Sequence, residues 1–173
     1  MRLIILGPTG TGKGTQAKFI ARLLKIKHIE SGAILRKEAK KNNFIKEIIN
    51  KGKLVPDRLI IKIINKIIKN RKNFILDGFP RTLTQAKLLK FTPNLVIYLK
   101  TNKNNLVKRL LLRKRSDDTK ENIKEKYNVY LKKTLPVINH YKRKKLLVTV
   151  NGNPSINQVS KNIKKILTKY LLQ

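Results

Sequence analysis

The segment Gly7–Thr15 (Gly-Pro-Thr-Gly-Thr-Gly-Lys-Gly-Thr) has the residue types and spacing that most directly indicate chemistry. Closely spaced glycines let a backbone curl so that its N–H groups point inward, and such a concavity suits phosphate oxygens. Lys13 can reach the β and γ phosphates of a nucleotide, and a helix beginning near it adds a positive dipole end. The segment therefore predicts a phosphate-binding loop rather than a glycine-rich turn without a ligand.

The loop departs from the usual pattern at one position. Phosphate loops normally carry Ser or Thr directly after the lysine, where the hydroxyl binds Mg²⁺. This chain has Gly14 at that position and Thr15 next to it. A different segment must therefore contribute more to holding the metal.

The elements that must position the loop can be predicted from apolar runs. Four such runs read as buried strands: Arg2–Leu6, Phe74–Leu76, Leu95–Leu99 and Leu146–Val150, with a further brief apolar stretch around His28 and Ile29. Helical spacing follows Lys13 and recurs in two short helices between Ser31 and Gly52, and over Leu59–Ile68, Leu106–Leu112 and Ile156–Leu172. Alternating strands and helices predict a parallel sheet covered on both faces, which binds ligands beyond the carboxyl ends of its strands.

Two features refine this reading. The charged turn Asp77–Arg81 (Asp-Gly-Phe-Pro-Arg) follows a predicted strand and should therefore lie at the same sheet edge as the phosphate loop.

The helical span from Lys120 to about Tyr141 contains Pro136, where we expect a kink or a restart.

Composition favours a single domain in a reducing compartment. The chain has 173 residues and no cysteine, which removes disulfides and thiolate metal sites. No apolar run is long enough to span a membrane or to act as a signal-peptide core, so we expect a cytoplasmic protein.

The net charge of +33 suggests nucleic acid as a partner. However, the excess is mostly Lys, is spread along the chain with Ile and Asn, and has no accompanying RNA-binding aromatic signature. A compositional bias explains it more simply, so no specific nucleic-acid partner is expected, although non-specific attraction to polyanions follows from the charge.

Taken together, the motifs make the chain resemble the adenylate kinases over nearly its whole length. The most specific matches are the loop sequence Gly-Lys-Gly-Thr-Gln at 12–16 and Asp77–Arg81 followed by Gln85. The other matching segments are Ser31-Gly32 with Arg36, Gly52–Asp57, Arg109 with Arg113, Arg115–Asp118, Tyr127–Tyr141 and Asn151–Pro154.

The resemblance implies an α/β fold of the P-loop NTPase type, with a parallel five-stranded sheet and helices on both faces. It also implies one kinase domain over 1–173, with a nucleoside-monophosphate-binding insertion at about 31–57 and a vestigial lid at about 113–117. The implied reaction is reversible, Mg²⁺-dependent phosphoryl transfer from ATP to AMP, giving two ADP. The resemblance implies no structural zinc, and we expect a monomer that acts on ATP, AMP and ADP.

Residue roles follow from the same resemblance. The implied catalytic residues are Lys13, Arg81, Arg113, Arg115 and Asp77, of which Asp77 holds the metal through water. The implied ATP-binding residues are Gly10, Thr11, Gly12, Lys13, Gly14, Thr15, Arg109, Arg113 and Asn153. The implied AMP-binding residues are Ser31, Gly32, Arg36, Lys53, Leu54, Val55, Gly78, Phe79, Pro80, Arg81, Gln85, Arg115 and Lys126. Arginine suits such sites because its planar fork binds phosphate oxygens bidentately.

Several of these residues have alternative interpretations. Asp77 could instead cap a helix or pair with Arg81, and Asp117 with Asp118 could steer the lid arginines or cap the helix that begins near Thr119. The two histidines, His28 and His140, lack metal-ligand spacing and a triad partner, so we expect both to be surface or packing residues.

The chain departs from the family pattern in two places. Between the positions that match Arg113 and Arg115 only Lys114 remains of the family's lid, which predicts a minimal or absent cover and ATP hydrolysis as a side reaction. Lys126 stands where the family carries another phosphate-binding arginine, so the charge is kept and the fork is lost.

Two other functions remain as alternatives. Gln85 favours AMP because a carboxamide presents both a donor and an acceptor to adenine, but a CMP or UMP kinase would look similar through Asp77–Arg81. The charge and the phosphate loop also allow a nucleic-acid-associated ATPase, although Arg36 and Arg81 would then be unexplained.

Overall fold

A computed structural model describes residues 1–113 and 117–172. Its strands are β1 (Arg2–Leu6), β2 (Lys27–Glu30), β3 (Phe74–Asp77), β4 (Leu95–Lys100) and β5 (Leu147–Asn151). Its α-helices are α1 (Lys13–Leu23), α2 (Ser31–Ala39), α3 (Asn43–Asn50), α4 (Asp57–Ile68), α5 (Leu83–Lys87), α6 (Lys103–Arg113), α7 (Lys120–Val129), α8 (Leu135–Arg143) and α9 (Ile156–Leu171).

The five strands form one parallel sheet in the order β2-β3-β1-β4-β5. This confirms the predicted fold class, and it shows that the brief apolar stretch around His28 and Ile29 is the edge strand β2. The chain order reverses at β1, so the crevice beyond the carboxyl ends of β1 and its neighbours is the expected place for a ligand.

Alternating side chains of the strands supply two separate cores. Ile4 and Leu76 pack on one face with Ile64 of α4 and Val137 of α8. Leu3, Ile5 and Ile75 pack on the other face with residues of α1 and α9 such as Ile20 and Ile163. Because successive strand residues point to opposite faces, near-continuous apolar strands give a sheet covered by helices on both sides.

The restart that was expected at Pro136 does not occur, because the backbone stays helical from Lys120 to Arg143 and changes only in its hydrogen-bonding pattern. α7 ends at Val129, a π-helical turn covers Tyr130–Thr134, and α8 begins at Leu135 with the proline in its first turn. The π-helical turn widens the helix just before the proline, which makes room for its ring and its missing N–H within a continuous helix. Within 1–113 and 117–172, no helix combines the length and the apolar character that crossing a membrane requires.

Candidate active site

A cavity of about 610 Å³ opens at the carboxyl edge of the sheet. It brings together the phosphate loop and the charged turn that begins at Asp77, as the sequence predicts. The phosphate loop lines one part of it, and residues that follow β2 and β3 line the other. Predicted site residues on its wall are Gly10, Thr11, Gly12, Lys13, Gly14, Thr15, Ser31, Gly32, Arg36, Lys53, Leu54, Val55, Asp77, Gly78, Phe79, Arg81, Gln85, Arg109, Arg113 and Lys126.

Two predicted residues within the described ranges are not on that wall. Pro80 lines a smaller neighbouring cavity, and Asn153 lies between two residues, Gly152 and Pro154, that do line the main one. Arg115 lies outside the described residues, so its role stays a prediction.

The loop curls because its glycines take conformations closed to other residues. Gly7 has a φ of +147°, and a Cβ there would lie 2.6 Å from the Leu99 carbonyl oxygen. Gly10 has a φ of +92°, and a Cβ there would lie 2.9 Å from Leu110. The backbone can therefore pack against β4 and α6 only because both side chains are absent.

Lys13 closes the loop on itself. Its ammonium group donates a hydrogen bond of 2.7 Å to the Pro8 carbonyl oxygen. Withdrawal from solvent lowers the pKa of Lys13 to about 8; nearby Asp77 opposes this shift, and Arg81 adds to it. The lysine is thus held at the phosphate position with a charge that an anion would stabilise.

Asp77 lies between the phosphate loop and β2. Its Oδ2 atom is 3.2 Å from His28 Nε2 and 3.5 Å from the position that a Cβ on Gly14 would take. A carboxylate therefore stands beside the loop position that usually bears a metal-binding hydroxyl. Among the described residues Asp77 forms an ion pair with His28 and none with Arg81, although its negative charge opposes the lowering of the pKa of Arg81 by burial.

His28 and Glu30 also belong to this part of the site, although sequence reasoning assigned them to none. One ligand atom of each lies within 4.8 Å of an oxygen of Asp77. The parallel register pairs Glu30 with Asp77, and residues 28 and 30 share a face because strand side chains alternate. The sequence alone does not give this register, because β2 must first be recognised as a strand that pairs with β3.

Two arginines lie on the part of the cavity that is lined by residues following β2 and β3. Arg36 donates to Glu30 Oε1 at 2.8 Å, and the Arg81 guanidinium donates to the Gly78 carbonyl oxygen at 2.8 Å. The Ser31 hydroxyl donates to the carbonyl oxygens of Asp77 and Gly78, which joins α2 to the end of β3. Because α2 follows β2 and Arg81 follows β3, the pairing of these two strands brings both guanidinium groups to the same region of the cavity.

A compact ion-pair cluster lies where the cavity meets α7. Arg113 binds both carboxylate oxygens of Asp118 at 2.7 and 2.8 Å. The ammonium of Lys126 contacts Asp117 Oδ2 at 2.6 Å and Asp118 Oδ1 at 2.9 Å. Burial opposes ionisation of Asp118, but hydrogen bonds from Arg113 and Lys126 outweigh it and lower its pKa.

This cluster decides between the two readings of the paired aspartates. Thr119 caps α7, because its side chain accepts from the Asn122 N–H. Asp117 and Asp118 instead hold the cations that were predicted to bind phosphate.

A family model described as adenylate kinase matches residues 5–146. The chain belongs to the adenylate kinase family. Curated adenylate kinases similar to it include one from Prochlorococcus marinus (strain MIT 9515), 39% identical with 94% of this chain and 96% of the relative covered. Another is from Encephalitozoon cuniculi (strain GB-M1), 36% identical with 95% and 96% covered, and a third from Trichodesmium erythraeum (strain IMS101), 38% identical with 98% of both covered.

In this adenylate kinase Arg109 is bound to the loop after β5. The Arg109 guanidinium donates to the carbonyl oxygens of Gly152, Asn153 and Pro154 at 2.8, 3.0 and 3.4 Å. The Asn153 side chain accepts from the Asn102 N–H and from the Asn105 amide. Arg109 therefore shapes the loop at the edge of the cavity.

Proposed function

We propose that this chain transfers the γ-phosphoryl group of Mg²⁺-bound ATP to AMP, reversibly, giving two ADP. The observation that carries the proposal is one cavity lined both by the phosphate loop and by the cluster around Arg36, Arg81 and Gln85. A single nucleotide site would leave that second cluster without a ligand. The adenylate kinase names of the relatives support the same substrates, and nothing in the comparisons favours either alternative function.

The chemistry needs positioning and positive charge rather than a protein nucleophile. A phosphate oxygen of AMP attacks the γ-phosphorus, the bond from that phosphorus to the β–γ bridging oxygen breaks, and ADP leaves with the electron pair. The loop N–H groups and Lys13 hold the donor phosphates, while Arg36 and Arg81 hold the acceptor phosphate. Arg113 and Lys126 stabilise charge on the transferring phosphoryl group while Asp117 and Asp118 hold them in place.

Magnesium fits the donor set beside the loop. Mg²⁺ prefers oxygen ligands and keeps several waters, which suits a carboxylate acting through water. Asp77 is such a ligand, and its proximity to Gly14 supports its replacing the absent loop hydroxyl. When bound with ATP, the metal neutralises charge on the β and γ phosphates. His28 orients Asp77 through their hydrogen bond.

The remaining site assignments belong to the same proposal. Residues 31–57, which include α2 and α3, form the acceptor insertion, and 113–117 replace a full lid. From the sequence resemblance we assign Arg115 to the acceptor phosphate, and we assign the Asn153 backbone to the adenine of ATP. We also propose a cytoplasmic monomer, to be tested by sedimentation of the purified protein and by cell fractionation.

A nucleotide panel tests the proposed function. Purified chain with Mg²⁺ and ATP is offered AMP, CMP, UMP or GMP, and nucleoside diphosphate formation is measured. The fastest transfer is expected with AMP. Preference for CMP or UMP would identify a pyrimidine monophosphate kinase, and ATP turnover that responds to RNA but not to AMP would overturn kinase function.

Paired lysine variants show whether activity comes from this site. Lys13→Ala is expected to lower kcat/KM at least about a hundredfold, because a charge at the transferring phosphates is lost. Lys62→Ala removes an exposed lysine of α4 and serves as the matched control. Equal activity of the two variants would show that Lys13 does not contribute to phosphoryl transfer.

A further inference from the structure

The side-chain amide of Gln85 is buried and held at both ends. Gln85 is 3% exposed and lines the cavity. Its Oε1 atom accepts the Arg81 backbone N–H at 2.6 Å, and its Nε2 atom donates to Asp57 Oδ1 at 2.8 Å. The amide therefore meets a donor at its oxygen and an acceptor at its nitrogen.

Asp57 is itself fixed in place. The Thr82 hydroxyl donates to Asp57 Oδ2 at 2.8 Å and accepts the Gln85 backbone N–H at 3.1 Å, which caps α5. Asp57 is also the first residue of α4, where the positive end of the helix dipole favours a carboxylate. The three side chains form a closed network that joins α4 to α5.

This network distinguishes the two orientations of the amide. A carboxylate only accepts hydrogen bonds and a backbone N–H only donates them. Rotating the Gln85 amide by half a turn would place its oxygen against Asp57 and its NH₂ group against the Arg81 N–H. Two hydrogen bonds of a buried group would become two repulsive contacts, which carries the desolvation cost of unsatisfied polar atoms.

We infer that Asp57, acting together with the Arg81 backbone N–H, sets the preference of the acceptor site for adenine by locking the Gln85 amide in one orientation. The inference rests on the proposed function. The two existing contacts leave one N–H and one oxygen lone pair of the amide for a base. Adenine presents an acceptor at N1 and a donor at its 6-amino group, which matches that pair. A 6-oxo purine presents a donor at N1 and an acceptor at O6, which opposes it.

A ranking of three monophosphates tests the lock in the unmodified protein. AMP matches both amide groups, purine riboside monophosphate keeps the N1 acceptor and lacks a 6-substituent, and IMP is inverted at both positions. A locked amide predicts kcat/KM in the order AMP, purine riboside monophosphate, IMP, because a lost hydrogen bond costs less than two opposed ones. A freely rotating amide would pair with IMP after turning, so IMP above purine riboside monophosphate overturns the inference.

Asp57→Asn tests the residue itself. The amide of this variant can donate to the oxygen of a rotated Gln85, while the Arg81 N–H still opposes that orientation. One of the two repulsive contacts is therefore relieved, and the ratio of kcat/KM for IMP to that for purine riboside monophosphate is expected to rise about tenfold, the value of one hydrogen bond. Glu47→Gln removes the same charge from an exposed position on α3 and should leave the ratio unchanged. A uniform loss for all three substrates in Asp57→Asn would mean a purely structural role and contradict the inference.

The outcomes separate this inference from the proposed function. If the unmodified chain transfers phosphate to none of the three substrates, the proposed function fails. If it transfers to AMP but ranks IMP second, only the role of Asp57 fails. Should Asp57→Asn not fold, the ranking in the unmodified protein still tests the locked amide, and IMP above purine riboside monophosphate would overturn the inference.

Discussion

Lys13 must be protonated to attract the phosphates of a nucleotide, and its surroundings make that charge dependent on pH. Its pKa lies at about 8 in the unliganded site, against an ordinary 10.5, chiefly because the ammonium is withdrawn from solvent. Phosphates raise the pKa again, so ATP binding takes up a proton wherever Lys13 starts neutral. At pH values above 8, the Kd of ATP is therefore expected to increase with pH. The increase should approach about tenfold for each pH unit.

Titration calorimetry of ATP binding between about pH 7.5 and 9.5 measures this dependence, because the phosphate groups of ATP are already ionised there. Lys13→Arg provides the comparison, since a guanidinium keeps its charge throughout the range. A Kd that changes equally with pH in both proteins would show that another group is titrating.

Lys126 keeps a charge where an arginine fork is expected. It lines the cavity but is held by Asp117 and Asp118. Lys126→Arg is expected to lower the KM for AMP or raise kcat several-fold, because a planar fork can bind a carboxylate and a phosphate together. Steady-state kinetics with AMP as the varied substrate measures the effect, and unchanged kinetics would mean that residue 126 does not reach the substrates.

Single residues could be predicted where they belong to one continuous motif. Lys13 and Gln85 were identified in this way, and both line the cavity. His28 and Glu30 were not, because their contact with Asp77 depends on which strand lies beside β3. The cation partners of Asp117 and Asp118 were equally hidden, because sequence spacing alone left capping and ion pairing both open.

At the scale of elements, the π-helical turn before α8 supports the acceptor side of the site. It ends at Thr134, which is 5% exposed and donates to the Arg81 carbonyl oxygen at 3.0 Å. Thr134→Val keeps the shape and removes the donor, leaving that carbonyl without its side-chain partner. The free energy of unfolding is expected to fall by about 1 to 3 kcal/mol, and the KM for AMP to rise.

Chemical denaturation and AMP kinetics measure both effects. Thr168→Val makes the same chemical change at an exposed position of α9 and should alter neither quantity. If the two variants were equally stable, the Thr134 hydrogen bond would contribute nothing to the fold.

The short connection from α6 to α7 predicts a side reaction. Only residues 114–119 separate the two helices, which leaves no room for a separate covering domain. Water should therefore reach the γ-phosphate more readily than under a closed lid. Phosphate release from ATP alone is expected to be faster than in an adenylate kinase with a full lid, and an equal or lower rate would contradict this.

Elements with strong apolar patterns were predicted well, and those set by polar contacts were not. β3 and α4 begin or end within two residues of their predicted limits. β2 was visible only as a brief stretch, because Ile29 is its one buried residue. α5 was not predicted, because it is one short turn held by the Thr82 cap rather than by a periodic apolar face.

Over the whole molecule, negative charge is concentrated near the candidate site. The chain has nine acidic residues, and three of them, Glu30, Asp77 and Asp117, line the cavity. Asp57 and Asp118 contact residues that line it. Much of the remaining surface therefore carries lysine and arginine with few acids to offset them, and a general attraction to polyanions follows.

That attraction should depend steeply on salt and have no effect on catalysis. A protein that neutralises Z phosphates of a single strand loses affinity with a log–log slope of about −0.7Z in salt, because the contacts release bound counterions. Binding of a mixed-sequence single-stranded RNA, followed by fluorescence anisotropy, is expected to be strong near 0.02 M salt and weak near 0.15 M. ADP formation from ATP and AMP at the higher salt should be unchanged by that RNA. Tight binding that persists at 0.15 M, with ATP turnover stimulated by RNA, would instead make the charge part of the function.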